Sequence, residues 1–194
     1  MTSTKKIAIL LYKYFPYGGL QKDFLEVAKE LQSREIKFKV FTRKWEGTIP
    51  EGFHVEEIGE RGLSNFSKNK NFVKDSFLAL QEYDPDLVFG FNKMPGLDLY
   101  FAADTCFKKE ALNKSPLIKF TRRFRQSVEF EKAVFGRSSS TAVFGFAGPA
   151  VARWLVRRVW QAVGGGAPEA DSVHAASCSC AGVFARGRDG NGVA

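Results

Sequence analysis

Short unbroken apolar runs alternate along the N-terminal half of the chain with longer stretches in which apolar side chains recur every three or four positions. Ile7-Ala8-Ile9-Leu10-Leu11-Tyr12 contains no charged residue, the pattern of a strand buried on both faces in a parallel sheet. Phe15-Pro16-Tyr17-Gly18-Gly19 breaks the run. Beyond it Leu20, Phe24, Val27, Ala28 and Leu31 share one helical face, with Lys22, Glu26, Lys29 and Glu30 on the others. These residues predict a strand, a glycine turn and a helix.

The same alternation continues. Phe38-Lys39-Val40-Phe41 reads as a second strand and His54-Val55-Glu56-Glu57-Ile58 as a third, weaker one. Phe66, Phe72, Val73, Phe77 and Leu80 mark a helix face over residues 66–83, ended by Asp84-Pro85-Asp86. Leu87-Val88-Phe89-Gly90-Phe91 is again a buried strand, and Leu99-Tyr100-Phe101-Ala102-Ala103 follows a Pro95-Gly96 turn. Strands alternating with helices predict the α/β class, with an open Rossmann-like parallel sheet and helices on both faces.

Composition bounds this picture without changing it. A chain of 194 residues, 44% hydrophobic and 26% charged, has the material for one packed core and is neither disordered nor fibrous in composition. The opening Lys5-Lys6 before an apolar run looks like the start of a signal segment, but Lys13 ends the run well short of the roughly 20 residues a membrane span needs. Any membrane contact is therefore expected to be peripheral. Cys106, Cys178 and Cys180 form no C-x-x-C pair, so neither a disulfide framework nor a zinc site is indicated, as in a reducing cytoplasm.

Charge narrows the partners. The formal charge of +8 calls for something anionic: nucleic acid, an acidic lipid surface or a phosphorylated substrate. From Cys106 to Arg137 there are nine Lys or Arg against three acids, the most basic stretch of the body. Ser115-Pro116 reads as an N-cap and first-turn pair for a helix carrying Leu117, Phe120, Phe124, Val128 and Phe135 near one stripe, with Lys119, Arg122, Arg123 and Arg125 beside it. Three readings stay open for this stripe: a helix with a solvated basic face, a nucleic-acid surface, or an interfacial segment on anionic lipid. No nucleic-acid motif accompanies the charge, so nucleic acid is not expected.

After Thr141 the composition changes. From Ala142 to Ala194 there is no Lys, Ile or Tyr, while nine of the eighteen glycines fall there, so this segment has neither the body's composition nor its periodicity. The shift from Lys, Phe and Asn to Ala, Gly, Arg and Val is that of AT-rich codons giving way to GC-rich ones. It predicts a domain over residues 1–141 and, over 142–194, an irregular tail of out-of-frame or foreign origin. Val151 to Trp160 reads as a short basic amphipathic helix, and His174, Cys178 and Cys180 lack a fourth metal ligand; neither feature is assigned a role.

Three segments carry a family resemblance: Leu11-Tyr12-Lys13-Tyr14-Phe15-Pro16-Tyr17-Gly18-Gly19-Leu20-Gln21-Lys22-Asp23-Phe24, Lys44-Trp45-Glu46-Gly47, and Gly90-Phe91-Asn92-Lys93-Met94-Pro95-Gly96-Leu97-Asp98-Leu99-Tyr100-Phe101-Ala102-Ala103-Asp104. With Phe120-Thr121-Arg122-Arg123-Phe124-Arg125, and in this order, they resemble the retaining GT-B glucosyltransferases of lipopolysaccharide core assembly over residues 6–141. The resemblance implies the N-terminal, acceptor-side half of a GT-B fold, UDP-glucose as donor, an inner-core heptose of lipopolysaccharide as acceptor, and no metal. It also implies work at the cytoplasmic face of the bacterial inner membrane, which favours the interfacial reading of Lys119, Phe120, Arg122, Arg123, Phe124 and Arg125. In this family much of the donor site belongs to a second domain, so the chain is expected to have little transferase activity by itself.

Site residues follow from position and resemblance together. Gly18-Gly19 lies where the first strand turns into a helix, so its backbone N–H groups can meet a diphosphate; the bland alternative is a tight turn, and the full G-x-G-x-x-G spacing is absent. The resemblance makes this pair the donor-phosphate contact and makes Asp23, otherwise a solvated helix residue, an acceptor or active-site candidate. Asp104, at a strand end, is placed to hold or deprotonate an acceptor hydroxyl. Asn92, Lys93 and Asp98 flank the Pro95-Gly96 turn and are read as acceptor contacts on one rim, or else as turn formers. Lys93 would suit a phosphorylated heptose. Two other classes compete with the enzyme: a membrane-binding module without catalysis and a basic nucleic-acid-binding domain.

Overall fold

The structure, a computed structural model, describes residues 6–103, 106–114 and 116–145. Asp104, Ser115 and the sequence after Gly145 lie outside the described residues. The elements run β1 (Lys6–Tyr14), α1 (Gly19–Ser33), β2 (Lys37–Trp45), β3 (His54–Glu57), α2 (Asn65–Tyr83), β4 (Leu87–Gly90), β5 (Leu99–Ala102), α3 (Phe107–Lys114), a 3-10 turn (Pro116–Phe120), α4 (Arg122–Phe135) and β6 (Ala142–Gly145). The predicted α/β class and Rossmann-like sheet are what forms.

The six strands pair in parallel in the order β3-β2-β1-β4-β5-β6. β1 is central. Ile7 to Leu11 are essentially without exposure, which is why the run needs no alternation. Ile7, Ile9 and Leu11 face a core closed by Phe24, Val27, Ala28 and Leu31 of α1. Ala8 and Leu10 face a second core closed by Phe72 and Val73 of α2 and Val134 of α4. Crossovers between parallel strands are right-handed, so the step from β1 to β2 and the opposite steps to β4 and β6 put their helices on opposite faces.

Two parallel connections use no helix. Residues 91–98 join β4 to β5 with fewer residues than the dozen or so a crossover ordinarily needs. Buried Met94 and Leu97 take the place of a helix in the core. Gly96 has φ +82, and a Cβ there would stand 2.8 Å from the Phe77 ring. Between β2 and β3, Phe53 does the same work against Phe38, edge to face at 5.1 Å.

Element ends follow local chemistry. Ser64 caps α2 by accepting from the Ser67 N–H, with the Ser67 hydroxyl accepting in return from the Ser64 N–H. Asp84, at φ 51, ends it in the left-handed region before Pro85. The helix expected from Ser115-Pro116 onward is instead two elements. Thr121 sits in extended backbone and its Oγ1 accepts from the Phe124 N–H at 3.1 Å, so α4 starts there and residues 116–120 form a separate turn. α3 and β6 were not predicted. β6 pairs with β5 from Leu99↔Ala142 to Ala102↔Gly145, so the sheet runs four residues past the change in composition.

Gly96→Ala is expected to lower unfolding free energy by about 1–3 kcal/mol, from the left-handed backbone and displacement of Phe77. Urea unfolding measures it, and a midpoint equal to wild type would mean that the short crossover tolerates a side chain.

Candidate active site

In an open parallel sheet the ligand crevice lies outside the carboxyl ends of the strands, where the direction of winding reverses. Here that point is between β1 and β4. Their ladder ends with the Phe91 N–H donating to the Leu10 carbonyl at 3.0 Å. The next donor, the Tyr12 N–H, is met by Asn92 Oδ1 at 2.8 Å. A side-chain acceptor thus replaces the backbone as β4 turns away, and the two loops of the rim are fastened together.

Five elements converge on this joint. The Tyr12 hydroxyl donates to the Lys93 carbonyl at 3.2 Å, and burial pushes its phenol well above the ordinary range, with the Arg43 charge opposing. Arg43, almost wholly buried, donates from Nε to the Tyr12 carbonyl at 3.2 Å and from Nη1 to Asn69 Oδ1 of α2 at 2.8 Å. Lys93 Nζ meets Glu131 Oε1 of α4 at 2.8 Å. Glu131, with no exposure, also accepts the N–H groups of Phe107 at 2.6 Å and Lys108 at 3.0 Å. Its carboxylate therefore caps the start of α3, where orphan donors and the helix dipole favour negative charge.

These residues wall a cavity of about 410 Å³, with Tyr12, Asn69, Asn92, Lys93 and Glu131 on its sides. Phe107 and Glu110 of α3 and Ser127 and Phe130 of α4 complete it. A second cavity, about 450 Å³, opens among Lys37, Phe38, His54 and Tyr83 at the amino ends of the strands. That is the wrong end of the sheet for a Rossmann-like ligand crevice.

The glycine turn borders the carboxyl end of β1. Gly18 is the N-cap of α1, with φ −86 and ψ 144, and no side chain caps the helix and no acid lies in its first turn. The leading N–H groups are thus available to an anion. The two glycines are present for different reasons. A Cβ on Gly18 would overlap the side chain of Gln21, whose Nε2 donates to the Lys13 carbonyl at 2.9 Å, whereas around Gly19 nothing lies within 4 Å. On the same rim Lys13 and Lys44 both pair with Glu46, at 2.8 and 2.9 Å, and hold its carboxyl below the usual range.

Of the predicted site residues, Gly18 and Gly19 follow the carboxyl end of β1 and Asn92 and Lys93 that of β4, and of the four only Asn92 and Lys93 line the cavity. Asp98 does not: its Oδ2 accepts the Val88 N–H at 2.7 Å, at the amino end of β4, so it is a turn residue on the opposite edge. Asp23 lines neither cavity. Its carboxyl is shifted upward by partial burial and then by Glu26. Of the basic stripe, Lys119, Phe120, Arg122, Arg123 and Arg125 are exposed, whereas Phe124 is buried in contact with Phe107 and cannot reach a surface.

Reading the sequence missed Glu131 and Asn69, and a signal existed for both. Phe124, Val128 and Phe135 leave one vacant place at helical spacing, and Glu131 occupies it. Asn69 interrupts the Phe66 and Phe72 face in the same way. Charged or amide groups on a buried helix face require partners, and here the partners are the rim itself. Among the described residues no three His, Cys, Asp or Glu side chains come together to hold a metal.

No protein-family model matches the chain. It is 41% identical over 136 residues to the lipopolysaccharide glucosyltransferase WaaG of Escherichia coli (strain K12), covering 70% of this chain and 36% of that protein. A crystal structure of WaaG, a glycosyltransferase involved in lipopolysaccharide biosynthesis, superposes with a TM-score of 0.70 at 36% identity, over 77% of this chain and 41% of the other. The chain is WaaG-like, and corresponds to the N-terminal part of a GT-B glycosyltransferase. It spans well under half the length of either WaaG match.

Glu131→Gln is expected to lower unfolding free energy by about 3 kcal/mol, because it removes one charge of a buried ion pair and the carboxylate that caps α3. Adding Lys93→Met should recover part of that loss; equal stability of wild type and single variant in urea would contradict the assignment. For Asp23 the raised pKa means that the fold disfavours the charged form, so its contribution is present at low pH and lost as pH rises through the folded pKa. Asp23→Asn should therefore raise the urea midpoint at pH 7 and leave it unchanged below the carboxylate range.

Proposed function

We propose that this chain forms the acceptor-side half of a glucosyltransferase of lipopolysaccharide core synthesis, moving glucose from UDP-glucose to an inner-core heptose with retention. One observation carries this reading: the carboxyl ends of β1 and β4 in a WaaG-like sheet lead, the one into an uncapped, glycine-started helix, the other into a loop that walls a polar cavity. The backbone of Gly18 and Gly19 would receive the donor diphosphate. Asn92 and the loop held by Lys93 would border the acceptor, and Asp104, which follows β5, would hold or deprotonate its hydroxyl. In the transfer the acceptor oxygen bonds to the anomeric carbon, the bond to the diphosphate oxygen breaks and the hydroxyl proton is released. Fixed N–H donors at the phosphate stabilise the charge that develops on the leaving group.

A peripheral site on the inner face of the inner membrane belongs to the same proposal. Leu117 and Phe120 are 74% and 67% exposed on the 3-10 turn, beside the exposed cations Lys119, Arg122, Arg123 and Arg125. Apolar side chains flanked by cations suit the headgroup region of anionic lipid, where each cation contributes about 1 kcal/mol. No helix among the described residues is long and apolar enough to cross a membrane.

Gly19→Ala separates ligand approach from packing. The added methyl meets nothing in the fold and favours the helix, so thermal stability should hold or rise slightly. UDP affinity should fall by about tenfold, the size of one lost hydrogen bond to a charged group. Calorimetry on both proteins decides the point, and unchanged UDP affinity would remove Gly19 from the donor site. Replacing Leu117 and Phe120 by Ser should abolish co-sedimentation with phosphatidylglycerol vesicles; retention of binding would move the membrane contact elsewhere.

A further inference from the structure

We infer that the cavity at the amino ends of β2 and β3 is a second binding site, for a small ω-amino acid whose ammonium and carboxylate stand at opposite ends of an apolar chain. The cavity measures about 450 Å³ and lies at the end of the strands away from the crevice, so the inference is independent of the transferase reading. Its wall passes from one face of the sheet to the other. Gln32, Glu35 and Gly52 stand on the α1 side. On the α2 side Lys39 Nζ lies over the Phe41 and Tyr83 rings, at 5.2 and 5.5 Å. Lys37, two residues before Lys39, and His54, its neighbour in register, share that face.

The α1 side seeks a cation. α1 has no basic residue in its last turn, and Arg34, which caps it, is paired with Glu30 at 2.6 Å, so the negative end of the helix dipole is left to the cavity. Glu35 adds a carboxylate that forms no ion pair or hydrogen bond among the described residues. It stands there at φ 58, a left-handed backbone in which glycine is the ordinary residue. Gln32 gives its Nε2 to the Glu51 carbonyl at 2.9 Å and keeps Oε1 as an acceptor. The α2 side seeks an anion. Lys39 is paired with Glu56 at 2.7 Å, and Lys6 meets the end of α2 by donating to the Tyr83 carbonyl at 2.7 Å. The Lys37 ammonium and the Tyr83 hydroxyl have no such partner among the described residues, and burial raises the Tyr83 phenol, so it keeps its proton as a donor. Between the two sides Ile36 and Phe38, each 6% exposed, make an apolar floor. A simple anion would stand against Glu35 and the end of α1, and a simple cation against Lys37. A molecule with both charges held apart by methylenes gives each side its complement and covers the floor.

The test is a ¹⁵N chemical-shift titration of the full chain with 6-aminohexanoate, hexanoate and hexylamine. 6-Aminohexanoate should shift the Gly52, His54 and Tyr83 backbone amides saturably. Hexanoate and hexylamine should each bind about tenfold more weakly, the size of one lost hydrogen bond to a charged group. Glu35→Gly, which suits the left-handed backbone, should hold or raise the urea midpoint while bringing 6-aminohexanoate down to the affinity of hexanoate. Glu35→Gln, which removes the charge and little else, should weaken binding equally, so the result does not hang on the backbone change. Lys37→Gln, at an exposed position, should bring 6-aminohexanoate down to the affinity of hexylamine. Equal binding of hexanoate or hexylamine overturns the inference, as does full affinity in either Glu35 variant. Shifts confined to Asn69 and Asn92, or no saturable shift, overturn it as well.

Discussion

The structure depends on β1 having parallel neighbours on both sides. A right-handed crossover to β2 and another, by way of β3, to β4 cannot both run over the same face, so α1 and α2 must cover opposite ones. Two loops then leave the carboxyl ends of β1 and β4 in divergent directions and open a crevice between them. Backbone pairing stops at Leu10 and Gly90. Asn92 extends it by one side-chain bond, and that bond decides how far apart the loops stand.

The second constraint is electrostatic. A carboxylate without exposure is tolerated only when its charge and lone pairs are met, and Glu131 is met by one ammonium and two helix-start N–H groups. Such a cluster is weak evidence of net stabilisation, since burial of both charges opposes their attraction. Its effect is geometric. The β4–β5 loop, the start of α3 and the middle of α4 are held at one point, so the cavity beside them keeps its shape without a ligand. Arg43 does the corresponding work across β1, β2 and α2, through Tyr12 and Asn69.

Much of the fold was legible because burial on both faces writes itself as unbroken apolar runs, as in Ile7 to Leu11, and burial on one face as helical spacing, as in Phe24 to Leu31. α3 was not, since Phe107 to Lys114 carries three charged residues in its first turn, Lys108, Lys109 and Glu110, and Ala111 is the buried position among its described side chains. The break at Thr121 was missed because one hydroxyl accepting one N–H outweighed a continuous stripe. Within the site, the glycine turn and Asn92-Lys93 were visible as strand ends. Asp98 was misplaced because closeness in sequence to Asn92 suggested the same rim, whereas the short crossover carries the chain the full length of β4 back to its amino end. Glu131 and Asn69 were hidden in helix faces read only for their apolar members.

The charge of the chain separates in the same way. Its +8 excess calls for an anionic ligand near the crevice. Yet Lys93 is neutralised by Glu131, Arg43 is committed to a carbonyl and an amide with Glu60 beyond, and Lys13 and Lys44 share Glu46. The exposed excess lies along Lys119, Arg122, Arg123 and Arg125, none of which lines the cavity. Net charge therefore says little about what enters the cavity. There, the wall is shaped by the amides that Tyr12 and Arg43 hold and by the pairing of Lys93 with Glu131.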